Sequence, residues 1–286
     1  MLRTTFLMTL LTILMVLVGK YLGGNQGMLI MLVISLATNF YTYWNSDKMV
    51  LSHYRAREVD EQTAPALWAI VKKLAGRAGL PMPKVYIMDD PQPNAFATGR
   101  NPEHAAVCVT TALANVLDRK ELEGVLAHEM THVRNHDILT CTVAASMAGI
   151  ITTISHIAMW FGGARDRDDN NSNAIVGLLL LFLAPLAASV IQLAVSRSRE
   201  YKADEGGGYL CGNPDHLASA LVKIQNYALQ RSMMNATPAT ANLFIIEPFS
   251  AQDLQSMFST HPSTEERVEL LHKQTEAMRA AGKLEN

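Results

Sequence analysis

Charge is scarce in this chain. Asp, Glu, Lys and Arg make up 17% of its 286 residues and nearly cancel, leaving a net charge of -2. With no basic cluster to neutralise phosphates, a nucleic-acid partner is excluded. Cysteine is scarce as well. Cys108, Cys141 and Cys211 are odd in number and lack paired spacing, which argues against a disulfide framework or a cysteine zinc site and predicts buried, reduced thiols. No glycine-rich phosphate loop, internal repeat or low-complexity tail is present.

What the chain has is apolar sequence, 49% of the total, collected into long runs. Leu2 to Val18 is almost wholly Leu, Met, Val, Ile, Thr and Phe, and no charge falls between Thr4 and Gly19. A secretory signal peptide is the rival reading, but no small-residue cleavage site follows the run and Lys20 interrupts. A second run, Met28 to Trp44, begins at once and ends in Phe40, Tyr41, Tyr43 and Trp44, residue types that gather at membrane boundaries. With their flanks, each run approaches the length needed to cross a bilayer. Two more runs, Leu139 to Gly163 and Ala174 to Val195, carry only His156 as an ionisable group, and Pro185 interrupts the second. They predict a second membrane hairpin, with a buried soluble hairpin as the alternative. Lys48, Arg55 and Arg57 follow the second run, and Arg197, Arg199 and Lys202 follow the fourth. Basic flanks of this kind place both termini and the polar segments in the cytoplasm.

Between the second and third runs, Ala64 to Ala78 carries helical periodicity, and Lys84 to Met88 is a predicted strand. Pro93 to Gly99 and Ala105 to Thr111 predict two further strands around the turn-rich Arg100-Asn101-Pro102. Asp118 with Glu121 forms a capping box opening the next helix. That helix holds His128-Glu129-Met130-Thr131-His132. Histidines four apart share one helical face and converge on one point, a fit for zinc, while the glutamate reaches a water there as general base. An ordinary amphipathic helix is the competing reading. The neighbouring strands leave an edge to which an extended peptide can add, or they merely cover the helix.

A catalytic zinc site needs a third ligand. The metzincin position, six residues past the second histidine, is Ile138, which excludes that class. His136 lies another turn on, where three imidazoles along one helix do not readily meet at a tetrahedral ion. Glu200 is the better candidate, with Asp204 on the same helical face to take a ligand histidine's remaining N–H. A solvated charged helix beside a membrane span is the alternative there. If the third and fourth runs cross and recross the bilayer, they return Glu200 to the motif helix. Further on, Asp215 to Arg231 predicts an amphipathic helix, and Phe258-Ser259-Thr260-His261-Pro262 precedes a closing helix from Thr264 that contains Arg267. His261 is a candidate oxyanion donor or a structural histidine.

Taken in order, the first hairpin, Asn94 to Gly99, the His-Glu-Met-Thr-His motif, the second hairpin, Ser196 to Asp204 and Ser259-Thr260-His261-Pro262-Ser263 resemble the HtpX family of membrane zinc proteases, relatives of the CAAX prenyl proteases. The resemblance covers nearly the whole chain. It implies a bacterial inner-membrane endopeptidase with one zinc ion, ligands His128, His132 and Glu200, and Glu129 as base. Its active site would face the cytoplasm and its substrates would be misfolded or damaged membrane proteins. Gly206-Gly207-Gly208 is richer in glycine than that family leads one to expect and leaves the end of its helix open.

The expected fold is α+β, predominantly helical, with four transmembrane helices and a cytosolic gluzincin-type domain. Its parts are an N-terminal hairpin (1–47), a catalytic part with the histidine motif (48–137), a second hairpin (138–197) and a catalytic part with the third ligand (198–286). The alternatives are a narrow-specificity maturation protease of the CAAX type and a zinc-binding membrane scaffold. Glu129 argues against the scaffold, since a structural site has no use for a base.

Overall fold

Two glycines turn the N-terminal segment back on itself. In the computed structural model, which describes residues 2–144, 146–147, 197–230 and 262–285, helix α1 (Leu2–His53) leaves helical geometry only at Gly23 and Gly24. Gly24 takes φ 59°, ψ -143°, a conformation open essentially to glycine alone. The two arms then run side by side. Asn39 Nδ2 donates to Met8 O at 3.1 Å and to Thr12 Oγ1 at 2.8 Å. Gly19 and Gly27 face each other so closely that a Cβ on either would collide with the other's carbonyl oxygen. The two arms thus form a helical hairpin that extends to His53.

Among the described residues, one helical stretch, Gly23–His53, is long and apolar enough to cross a membrane, and Thr4–Leu17 is a shorter apolar helix. The outer face of the second arm is apolar and exposed at Leu29, Ile30, Val33, Leu36, Phe40 and Trp44. Arg100 lies 4.6 Å from the centre of the Trp44 ring, a cation over an aromatic face where the apolar helix meets the polar segment. A further helical stretch, 138–144 and 146–147, begins the third apolar run. Its Leu139, Val143, Ala144 and Met147 pack with Leu11 of the first arm. The remainder of the third run, all of the fourth, and His156 lie outside the described residues.

Among the described residues, four short strands make one mixed sheet. They are β1 (Arg57–Val59), β2 (Lys84–Met88), β3 (Ala95–Gly99) and β4 (Ala105–Thr110), in the order β1-β2-β4-β3. β2 and β4 are parallel, while β1 and β3 run antiparallel to their neighbours. The sequence had suggested β2, β3 and β4, but β1, only three residues long, carries no periodic signal. At the β3–β4 turn Gly99 has φ 137°, and a Cβ there would strike the His104 carbonyl.

One sheet face packs on helices. Leu67, Ile70, Val71 and Leu74 of α2 (Pro65–Ala78) share a core with Val85, Val107 and Val109. The same core takes in Val125, Leu126 and Met130 of α4 (Arg119–Arg134), which follows the short α3 (Thr111–Val116). The other face, with Phe96 and Cys108, meets Val50 and Leu51 at the end of α1. Among the described residues, three helices complete the domain: α5 (Arg197–Cys211), α6 (Pro214–Gln230) and α7 (Thr264–Ala280). The polar domain is therefore mostly helical with a small sheet, and α4 lies at its centre.

The glycine triplet does not end α5, which continues to Cys211. A Cβ on Gly207 would sit 2.9 Å from His128 N, and one on Gly206 would sit 2.6 Å from Thr131 Cγ2. Glycine in a helix interior costs up to about 1 kcal/mol relative to alanine. Here it lets α5 lie directly on the backbone of α4.

Candidate metal centre

Local signals place α4 firmly. Asp118 Oδ1 accepts the N–H groups of Lys120 and Glu121, and Glu121 Oε2 accepts the Asp118 N–H in return. Glu121 also receives Lys223 Nζ at 2.7 Å and Ser219 Oγ at 2.6 Å, which joins the start of α4 to α6. Gly124 lets the α6 backbone approach at Leu217. At the other end α4 stops in a left-handed turn. His136 has φ 59°, its N–H reaches Val133 O, and the Asp137 N–H reaches back to His132 O at 3.0 Å. This pair of bonds is the Schellman arrangement. It turns His136 out to solvent, so His136 is not among the converging donors. It also carries Asp137 back to the motif.

His128, His132 and Glu200 converge, each offering one ligand atom, with those atoms all within 4.8 Å of one another. The two Nε2 atoms are 3.2 Å apart, and the Glu200 oxygens lie 3.7 Å from His128 Nε2 and 3.6 Å from His132 Nε2. A tetrahedral ion with ligand bonds of about 2.0–2.1 Å holds neighbouring donors roughly 3.4 Å apart, so the spacing fits a metal of that kind. Glu200 comes from α5, whose close contact with α4 the glycines permit.

Each histidine is oriented from behind by a carboxylate that is itself held by an arginine. His128 Nδ1 lies 2.9 Å from Asp204 Oδ1, and Asp204 takes Arg267 Nε at 2.8 Å and Nη2 at 2.7 Å. His132 Nδ1 lies 3.3 Å from Asp137 Oδ2, and Arg199 Nη1 lies 3.5 Å from Asp137 Oδ1. Donation from Nδ1 leaves each Nε2 lone pair facing the shared point.

The charge balance also asks for a cation. The carboxylates of Glu129, Glu200, Asp137 and Asp204 surround two imidazoles, with the guanidiniums of Arg199 and Arg267 as counter-charges. That leaves two negative charges, which a divalent ion balances. Without an ion, burial opposes charge on His132, but Asp137, Glu200 and Glu129 outweigh it and carry the imidazole up to about 9. Burial pushes the Glu129 carboxyl above its ordinary value, against the pull of His128 and His132.

Glu129 points to the sheet. Its Oε2 accepts the Ala97 N–H at 2.9 Å, so the motif helix touches the edge strand through this carboxylate. Of the residues singled out in the sequence, His128, Glu129, His132, Glu200 and Asp204 come together, and His261 lies outside the described residues. Asp137 and Arg199 were missed, and Arg267 had been noted only as part of its helix. Arg267 is 63 residues from Asp204 and carries no local signal. Asp137 could have been reached from His132 by recognising the turn that ends α4.

The profile of peptidase family M48 matches residues 61–275. The chain is 51% identical over 268 residues to a protein named protease HtpX homolog from Burkholderia thailandensis, covering 93% of this chain and 94% of that one. A protein of the same name from Burkholderia mallei matches to the same extent. Among solved structures, the crystal structure of S. mikatae Ste24p superposes with a TM-score of 0.52 at 19% identity, a likeness of fold. The alignment covers 91% of this chain, which spans 62% of the Ste24p chain.

Proposed function

The chain belongs to peptidase family M48 as a membrane metalloprotease, and from that premise we propose that it is a multi-pass zinc endopeptidase cleaving misfolded or damaged membrane proteins. The observation that carries this reading is the convergence of His128, His132 and Glu200 beside Glu129.

In the proposed site those three residues hold zinc, and Asp204 and Asp137 orient the two imidazoles. When bound, zinc supplies Lewis acidity and brings the pKa of water near neutrality. Glu129 takes the proton from the attacking water on its carboxylate and passes it to the departing amide nitrogen. Ala97 N–H orients the carboxylate, and the outer edge of β3 pairs with an extended substrate backbone. Backbone pairing reads little sequence, in keeping with unfolded segments as substrates.

The apolar runs are proposed to form four spans in the bacterial inner membrane, with the domain on the cytoplasmic side. On this reading 1–47 and 138–197 are the hairpins, and 48–137 with 198–286 make the catalytic unit. The third and fourth spans return Glu200 to the motif helix.

The test uses purified full-length protein in detergent. Chelation should abolish casein cleavage, and one equivalent of zinc should restore it. Undiminished cleavage by protein shown to be metal-free would refute the zinc assignment.

A further inference from the structure

A cluster of buried hydroxyls beside the edge strand has no part in the metal centre. Thr98 on β3 and Thr142 on the helical stretch 138–144 are both sealed from solvent, with their Oγ1 atoms 3.0 Å apart. Thr142 Oγ1 donates to Ile138 O at 2.7 Å, so toward Thr98 it is the acceptor. It also accepts the Gly99 N–H at 3.4 Å. A hydroxyl has one proton and two lone pairs, and this one has all three engaged. One is spent on its own helix and two on the edge strand.

The strand register shows what those bonds occupy. Thr110 N–H bonds to Asn94 O at 2.9 Å, which turns the backbone groups of Asn94, Phe96 and Thr98 toward β4. Alternate residues Ala95, Ala97 and Gly99 therefore present theirs on the outer side. Two of these outer N–H groups meet side chains, Ala97 at Glu129 and Gly99 at Thr142. The edge is thus engaged by the base at its middle and by an apolar-run helix at one end. That helix also grips the first arm of α1 through Leu11 and through Thr4, whose hydroxyl lies 3.2 Å from that of Thr140.

We infer that Thr142 is a positioning residue that closes the substrate edge at Gly99 and confines peptide pairing to the outer groups of Ala95 and the outer carbonyl of Ala97, whose N–H stays with Glu129. This rests on the proposed reading of strand addition and deepens it. A peptide residue pairing at Gly99 has to displace the Thr142 hydroxyl and strand the buried Thr98 proton. Leaving a buried donor unmade costs more than one new hydrogen bond returns. The bound peptide therefore leaves the sheet at Gly99, where the 138–144 helix stands. Ala95 and Ala97 are buried, and in such surroundings each bond of a short ladder weighs more. A two-residue ladder demands only a brief extended stretch.

The experiment uses full-length zinc-loaded protein in detergent and a casein-derived peptide that it cleaves. The peptide is made as a series, each member N-methylated at one backbone nitrogen. In the wild type, methylation should raise KM roughly threefold to tenfold at positions within the short ladder and leave positions beyond it unaffected. Thr142→Val keeps the volume and removes the hydroxyl. It should extend the sensitive stretch by two residues and spread the cleavage sites, at unchanged zinc content, and Thr142→Ser should restore the wild-type pattern. If Thr142→Val keeps the wild-type methylation profile, the inference is overturned while strand addition stands. If cleavage by the wild type ignores methylation everywhere, strand addition falls and the inference with it. Loss of zinc by Thr142→Val with no change in the KM profile also overturns it, making Thr142 a structural residue.

Discussion

Arg267 and Asp204 form a two-pronged ion pair behind the metal centre, with Nε 2.8 Å from Oδ2 and Nη2 2.7 Å from Oδ1. The guanidinium is 1% exposed, and the carboxylate it holds is the one that accepts from His128. Burial alone would raise the Asp204 pKa, but the charge and hydrogen bonds of Arg267, helped by His128, bring it down to about 2. Since the ordinary value is 3.8, ionised Asp204 contributes stability above that pH, and the contribution is lost as pH falls toward 2.

Removing one partner of such a pair strands the other. Arg267→Met should cost about 3–5 kcal/mol of stability and loosen zinc at neutral pH. Arg267→Lys keeps the charge but loses the fork, and should fall between the variant and the wild type. Thermal unfolding with zinc titration checks both. If Arg267→Met unfolds and holds zinc like the wild type, Asp204 is oriented by something else.

Glu129→Gln separates binding from chemistry. The amide preserves shape and still accepts the Ala97 N–H through its oxygen, so zinc content should stay normal. Turnover should fall on the order of 10²–10⁴-fold, the usual loss when a general base is removed. Near-normal cleavage would place the base elsewhere.

These pairs differ in how far the sequence announces them. The capping box at Asp118 and Glu121 is local, a matter of residues three apart, and was readable before any fold was known. Glu200 was reachable because two long apolar runs, read as a hairpin, would bring the chain back to the motif helix. Arg267 had no such guide, since nothing local distinguishes an arginine paired across 63 residues from one on a wet surface. His136 was weighed as a ligand and set aside because three imidazoles along one helix do not readily converge, an argument that carries helical periodicity past the true end of the helix. The turn at φ 59° breaks that periodicity and delivers Asp137 in its place.

The glycine triplet was read as a source of doubt about a helix end, and close packing is its explanation. Gly207→Ala places a methyl 2.9 Å from His128 N, a backbone atom on the helix that carries the ligand. Overpacking of this kind costs about 1–3 kcal/mol and should push α5, and Glu200 with it, away from the histidines. Zinc affinity should drop even though alanine is the better helix former. A zinc-competent Gly207→Ala of raised stability would show that the two helices have room to spare.

Membrane orientation is checked independently of catalysis. Single cysteines at Asp118 and in the 163–173 loop, in a chain lacking Cys108, Cys141 and Cys211, are exposed to an impermeant maleimide on intact cells. The loop should label and position 118 should not. Labelling at 118 from outside would move the domain across the membrane and leave the rest of the site unchanged.

A comparison of three variants ranks the candidate ligands. Glu200→Ala removes one of the three converging donors, so zinc should be stripped by weak chelators and activity should vanish. Asp137→Asn leaves the donor set whole but weakens the acceptor behind His132, and such losses typically amount to about 10–100-fold in affinity or activity. His136→Ala changes only an exposed side chain at a left-handed position, so zinc and turnover should survive, and glycine there should if anything steady the turn. Zinc titration and casein cleavage on the purified proteins give the order directly. If His136→Ala loses the metal while Glu200→Ala keeps it, the ion sits along α4 alone, and the packing of α5 against α4 has no catalytic meaning.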